Sequence, residues 1–210
     1  MIVILDYGAG NLTSVDLAFR RIGAEAVVTS DPKVAAGADS LVFPGVGSAL
    51  SGMDGLRRFA LDKVLADAAA AGKPVLAICL GMQMMLTRSA EDGGVDGLDI
   101  IHGSVERFSF PPEARIKVPH MGWNGVRHDG MHPLFAGIPS GEAFYFVHSF
   151  YAAPEDPAES LGTTEYGGFV FSSAVGGKSV FAVQFHPERS GDAGLQMLKN
   201  FSGWDGSSCC

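Results

Sequence analysis

The chain has 210 residues and a net charge of −8, with no cluster of Lys and Arg, which excludes a surface built to hold a phosphate backbone. Its length suits one α/β domain whose core needs no covalent staples, and its 3 cysteines, Cys79, Cys209 and Cys210, make no disulfide framework. No apolar run reaches membrane-spanning length, and Met1 leads directly into Ile2-Val-Ile-Leu5 without a basic flank; the expectation is a cytoplasmic protein that touches neither nucleic acid nor membrane.

Ile2 to Leu5 reads as a buried strand, and Leu12, Val15, Phe19 and Ile22 as one face of a helix capped by Asn11 and ended by Gly23. The intervening loop Asp6-Tyr7-Gly8-Ala9-Gly10-Asn11 lies at the carboxyl end of the first strand, the edge at which open α/β sheets bind ligands. It lacks the full glycine spacing of a nucleotide loop, so a plain turn fits it as well. Glu25 to Thr29 and Ala38 to Phe43 predict two more strands, the second running into Pro44-Gly45-Val46-Gly47-Ser48. Two glycines around one valine let backbone approach a ligand and aim its N–H groups inward. Met53 to Ala71 has helical spacing through Leu56, Phe59, Val64 and Leu65.

The next stretch organises the chain. Pro74-Val-Leu-Ala-Ile-Cys79 is an apolar run that stops at a cysteine, and Leu80-Gly81-Met82-Gln83-Met-Met-Leu86 continues with helical spacing. That pattern predicts a nucleophile elbow, a sharp strand-to-helix turn that holds a side chain above the sheet. A cysteine in an apolar strand is also simply a small hydrophobe, so its chemistry depends on what lies downstream.

From Gly93 the texture changes to short β-like runs, including Ile100-Ile101, Ser104 to Phe108 and Ala143 to His148, separated by Gly and Pro. Phe169 to Phe185 reads as a hairpin across Gly176-Gly177, and its second strand stops at His186-Pro187-Glu188. Ala193 to Phe201 has the spacing of a closing helix. Residues 202–210 read as a flexible Gly/Ser-rich tail, which leaves a single domain over residues 1–201. His120, His128 and His132 with Asp129 lack the fixed spacing of a ligand set, so no metal is expected.

A thiol attacks a carbonyl as thiolate, and an imidazole is its usual activator. His186 ends one apolar strand as Cys79 ends another, and Glu188, two residues on in an extended segment, faces the same side to orient the ring. The N–H of Leu80 and the Gly45-Val46-Gly47 loop are the expected donors to a tetrahedral oxyanion. His-Pro-Glu alone is as well explained by a surface turn; it is the combination, in this order, that points to chemistry.

Ala-Ile-Cys79-Leu-Gly-Met-Gln83 with Phe185-His-Pro-Glu188 resembles the class I, triad-type glutamine amidotransferases. Asp6 to Asn11, Pro44 to Gly47, Lys117-Val-Pro-His-Met-Gly-Trp-Asn124 and Tyr145-Phe-Val-His-Ser149 narrow the resemblance to the glutaminase subunits of imidazole glycerol phosphate synthase, from Met1 to about Phe201. The resemblance implies an open, mostly parallel, flavodoxin-like sheet flanked by helices, with added antiparallel strands in the C-terminal half. It implies Cys79 as nucleophile, His186 as general base and acid, Glu188 as its orienting partner, and Val46, Gly47 and Leu80 as backbone oxyanion donors. Gly47, Gln83, His148 and Ser149 would hold glutamine, with no cofactor. Tyr7, Gly8, Asn11, Met121, Trp123, Asn124 and Arg189 would face the partner, a (β/α)8-barrel cyclase joined in a heterodimer, which receives ammonia for histidine biosynthesis.

Read from the residues alone, Trp123 fits a core aromatic as well as an interface anchor. The chain departs from the family pattern at Ala77, where glycine is common, at Arg189, often lysine, and at Phe150, often tyrosine. Ala77 leaves a tight elbow expected, whereas the other two change interface geometry and remove a hydroxyl. Two other readings stay open at this point: an amidotransferase with a different acceptor, and a catalytically silent subunit that keeps the fold.

Overall fold

The computed structural model describes residues 1–8 and 12–207; Asn11, Cys209 and Cys210 lie outside them. Five short apolar strands form its parallel half: β1 (Ile2–Leu5), β2 (Ala26–Thr29), β3 (Ser40–Gly45), β4 (Val75–Cys79) and, from far downstream, β13 (Val180–Val183). They lie in the order β2-β1-β3-β4-β13, so that β3 and β13 flank β4. The helices α1 (Leu12–Arg21), α2 (Pro32–Ala36), α3 (Ala49–Arg58), α4 (Leu61–Ala70), α5 (Leu80–Met85) and α6 (Gly191–Ser202) cover the faces.

Alternation along the strands sorts the side chains between two cores. Val3, Leu5, Leu41, Phe43, Val75 and Ala77 pack under α3 and α4, while Ile2, Ile4, Val42, Leu76, Ile78, Phe181 and Val183 pack under α1 and α6. A strand covered on both faces has to be apolar on both, which explains the unbroken runs in the sequence. Beyond β13 the sheet continues through β12 (Phe169–Gly177), β10 (Phe150–Pro154), β7 (Ile101–Arg107), β5 (Leu86–Ser89) and β6 (Val95–Asp96), with β11 (Ser160–Tyr166) beside β12. This half is antiparallel apart from the β5–β7 pair. A separate ribbon pairs β8 (His120–Val126) with β9 (Glu142–His148), His120 opposite His148. The α/β class, the parallel half and the added antiparallel strands are those expected.

Three details differ. The helix expected over 53–71 is two helices, because Ala60 takes a left-handed conformation (φ 55°) between α3 and α4. The hairpin turns at Lys178 and Ser179, one step past the expected glycines, which remain paired in the strands opposite Phe181 and Val180. Residues 202–207 do not form the loose tail expected: α6 runs through Ser202, Trp204 is buried against Phe201 and His132, and its indole N–H donates to the Ser207 carbonyl at 2.7 Å. Among the described residues no helix is long and apolar enough to cross a membrane.

Candidate active site

Cys79 closes β4 and precedes the first residue of α5, with φ 55° and ψ −110°. This conformation, sparsely populated for a side chain with a Cβ, costs about 1–3 kcal/mol and persists only where the surroundings enforce it. The enforcing contacts come from β3, whose Gly45 lies opposite Cys79 in the parallel ladder. A Cβ on Gly81 would sit 2.0 Å from the Phe43 carbonyl oxygen, and one on Gly45 would sit 2.8 Å from the Gly81 nitrogen. Glycine at both positions lets strand and elbow touch backbone to backbone. Ala77 is buried with its methyl accommodated between Phe43 of β3 and Ala182 of β13, so alanine there leaves the turn intact.

His186 follows β13. Its backbone N–H donates to the Tyr145 carbonyl at 2.9 Å, and the Ser190 hydroxyl donates to the His186 carbonyl at 2.6 Å, which pins the segment between β9 and α6. The next residues, Pro187–Arg189, form a 3-10 turn rather than the extended segment expected. That turn brings Glu188 Oε1 to 2.8 Å from His186 Nδ1, with both side chains almost wholly buried. Burial alone would depress the imidazole, but the nearness and Coulombic attraction of Cys79, with the hydrogen bond and charge of Glu188, outweigh it and push the pKa of His186 up to about 10. The Nε2 atom makes no well-aligned hydrogen bond, so the thiol contact acts by proximity; such contacts are commonly long until substrate tightens them.

Cys79 and His186 open onto a cleft of about 350 Å³ that Val46, Gly47, Leu80, Gln83, His148 and Ser149 also line. Three roomier clefts lie elsewhere, one beside Trp123 and Gln196, one beside His102 and Lys178 and one beside Phe110 and Ile116, and none is lined by a cysteine. Gly47 has φ 103°, a left-handed value that requires glycine, while Val46 beside it is exposed at the cleft mouth. Leu80 opens α5, so its N–H belongs to a first helical turn that has no partner within the helix. Gln83 donates both hydrogens of its Nε2, to the Phe150 carbonyl at 3.1 Å and to Gln184 Oε1 at 3.0 Å, which leaves its own Oε1 as the free acceptor.

His148 has no polar atom left for a ligand. Nδ1 meets the Phe150 carbonyl at 2.7 Å and so carries the hydrogen, which makes Nε2 the acceptor from His120 Nδ1 at 2.9 Å. Burial lowers both imidazoles, so the pair is neutral. His148 therefore lines the cleft with its ring, while its two nitrogens hold His120 and the Phe150 carbonyl. One charged cleft residue escaped sequence reading, as did the apolar wall of Pro119, Val147 and Phe150. Glu91, in a Gly-rich turn without periodic signal, stands on the cleft wall with Oε2 accepting the Ala49 N–H at 2.8 Å, and burial raises its carboxyl.

Of the residues expected to face a partner, Met121 and Trp123 are 62% and 59% exposed, Gly8 is exposed, and exposed Arg189 lies over the Tyr145 ring at 4.4 Å. Two differ from expectation. Tyr7 is buried, its hydroxyl donating to the Pro44 carbonyl at 2.8 Å, because it packs against Gly45 and Gly55, which have no Cβ to obstruct it. Asn124 turns inward, its Nδ2 donating to the Glu165 carbonyl at 2.8 Å and approaching His120 Nε2 at 3.3 Å. Among the described residues no three His, Cys, Asp or Glu converge on a metal-sized site. His128 stacks on Phe135 and His132 accepts the Leu134 N–H.

The chain is similar to known proteins in sequence and in fold. The chain is 47% identical to the imidazole glycerol phosphate synthase subunit HisH of Acinetobacter baylyi, over 97% of this chain and 98% of that one. It is 48% identical to the same subunit from Methylococcus capsulatus, over 97% and 96%. A solved glutamine amidotransferase superposes with a TM-score of 0.74 at 18% identity, covering 96% of this chain and 99% of the other. PurLQS from Thermotoga maritima superposes at 0.69 and 17% identity, over 95% and 96%, a likeness of fold. The sequence pattern of glutamine amidotransferase class-I matches residues 3–203, and the chain belongs to that family.

Proposed function

We propose that the chain is the glutaminase subunit of an imidazole glycerol phosphate synthase, a single amidotransferase domain whose packed segment runs past residue 201 through Trp204, and that it works in the cytoplasm and supplies ammonia for histidine biosynthesis. The observation that carries the reading is the meeting of Cys79 with a His186–Glu188 pair 2.8 Å apart in a cleft of about 350 Å³, in a chain nearly half identical to HisH subunits along its length.

In this reading glutamine enters with its side-chain amide at Cys79. The sulfur attacks the amide carbon, and the N–H groups of Leu80 and of the Val46-Gly47 loop stabilise the oxyanion. Imidazolium His186, the form its raised pKa favours at neutral pH, gives its proton to the departing nitrogen, and ammonia leaves a thioester. Neutral His186 then takes a proton from water as the water attacks the thioester; glutamate and the thiolate are released and the imidazolium is restored. Glu188 keeps the Nδ1 hydrogen in place through both steps. Gln83 offers an acceptor to the substrate, and the Glu91 carboxylate complements its α-ammonium group.

The partner is a (β/α)8-barrel cyclase in a heterodimer, docked against Met121, Trp123, Gly8, Asn11 and Arg189. Exposed Met and Trp on one ribbon are the residue types that anchor protein interfaces. The test is ammonia release from glutamine by the purified chain, with and without the cyclase and its nucleotide ligand. Release should rise on assembly and vanish in Cys79→Ala, while the assembled variant still turns over when ammonia is supplied directly. Glutamine hydrolysis that persists in Cys79→Ala would overturn the proposal.

A further inference from the structure

Gln184 stands out as a polar residue inside the apolar stretch Val180 to Phe185, and it is 0% exposed. It follows β13, whose Val183 pairs with Ile78 in parallel register, so Gln184 lies beside Cys79. Its backbone N–H donates to the Ser173 carbonyl at 2.9 Å. The orientation of its side-chain amide follows from its neighbours. Gln83 is a donor to the Phe150 carbonyl and, with its second hydrogen, to Gln184 Oε1. Gln184 Oε1 is thereby the acceptor, which turns Nε2, the donor end, toward the Cys79 sulfur 3.7 Å away.

We propose that Gln184 is a positioning residue for glutamine hydrolysis, acting through Cys79: its Nε2–H donates to the sulfur, fixes the direction in which the sulfur points, and favours the thiolate over the thiol. The proposal rests on Cys79 being the nucleophile. A thiolate accepts this hydrogen bond more strongly than a thiol does, and burial shields the bond from competing water. The fixed Phe150 carbonyl, held also by His148 Nδ1, keeps Gln83 and hence Gln184 from turning over.

The ionisable groups around the sulfur are His186 after β13, with Glu188 behind it, and Tyr7 after β1. Glu91 and neutral His148 face the same cleft from the turn after β5 and from β9. Gln184 is the uncharged donor among them. Exchanging it for methionine, of similar length, removes the donor and leaves every one of these charges in place.

The test follows iodoacetamide alkylation of Cys79 against pH in the full-length chain assembled with its partner subunit, for wild type, Gln184→Met and Gln184→Glu. The pH of half-maximal alkylation should rise by about 0.5–1 unit in Gln184→Met and further in Gln184→Glu, which puts an acceptor where the donor was. The kcat for glutamine hydrolysis should fall roughly five- to tenfold with KM nearly constant. A residue that merely filled space would lower Tm and leave the alkylation profile unmoved. An unshifted profile in both variants, or a rise in KM at constant kcat, overturns the proposal. If Gln184→Met does not fold, the nearly isosteric Gln184→Glu supplies the same readout alone. Glutamine hydrolysis that persists in Cys79→Ala would instead overturn the assignment of the nucleophile, so the two failures are told apart.

Discussion

Replacing Glu188 by glutamine changes one oxygen for an NH2 group at nearly constant volume and isolates what the carboxylate does. In the wild type its Oε1 lies 2.8 Å from His186 Nδ1. Unit charges at that distance attract by about 6 kcal/mol at an effective dielectric of about 20, most of it offset by desolvation of two buried groups. Hydrogen bonds to charged groups retain about 1.5–3 kcal/mol net, roughly a 10- to 150-fold change in rate if the bond matters most when His186 is an imidazolium. Glutamine also lets an N–H face Nδ1, which would place the ring hydrogen on Nε2 and block the nitrogen that must accept a proton in thioester hydrolysis. The expected result for glutamine hydrolysis by the assembled synthase is therefore a fall in kcat on the order of a hundredfold, with KM little changed and ammonia-driven turnover intact. Retention of kcat within about threefold, in a variant shown to be folded, would refute this account of the pair.

Three further outcomes follow. His186 is raised above its ordinary 6.5 to about 10, so its protonation stabilises the fold fully below about pH 6.5 and this contribution is lost as pH rises through 10; the difference in urea midpoint between wild type and His186→Gln should shrink between pH 6.5 and 10, and a constant difference would contradict it. Gly81→Ala drives a methyl to 2.0 Å from the Phe43 carbonyl oxygen, which should destabilise by about 1–3 kcal/mol and lower Tm by roughly 2–12 °C; calorimetry reads it, and an unchanged Tm contradicts the close approach. Tyr7→Phe leaves the buried Pro44 carbonyl without its 2.8 Å donor, at a cost of about 1–3 kcal/mol visible in denaturant melts, and a neutral result would mean the hydroxyl is not needed there.

The parallel half of the fold was legible because strands buried on both faces must be apolar throughout, as Ile2–Leu5, Val75–Cys79 and Val180–Val183 are. The elbow was legible for a related reason, an apolar run stopping at Cys79 with glycine two residues on. The antiparallel half was read only in fragments. Strands such as Leu86–Ser89 and Ser160–Tyr166 mix exposed and buried positions and carry no run to read. The break at Ala60 has no glycine or proline to announce it; tertiary packing sets it.

The site divides in the same way. Cys79, His186 and Glu188 each sit at the end of a readable strand or one turn beyond it. Apart from the Phe150 carbonyl beside His148, the partners of Gln83, His148 and Tyr7 lie 28 to 101 residues away, and no local pattern encodes such pairings. Tyr7 and Asn124 came from a loop and a motif whose surface placement was inferred from resemblance; Tyr7 is buried, and Asn124 is half-buried with its amide turned to the Glu165 carbonyl. Gln184 did leave a trace, an amide in an apolar strand, but nothing in its neighbours names the sulfur as its target.

The β8 strand alternates as strands must: His120 is buried and Asn124 turns in, whereas Met121 and Trp123 between them point out. Odd positions thus face outward, and even positions meet His148, Tyr166 and the Glu165 carbonyl. The outer vocabulary of this ribbon is free to drift, and so to follow a changing companion, without rewriting a letter on its inner side.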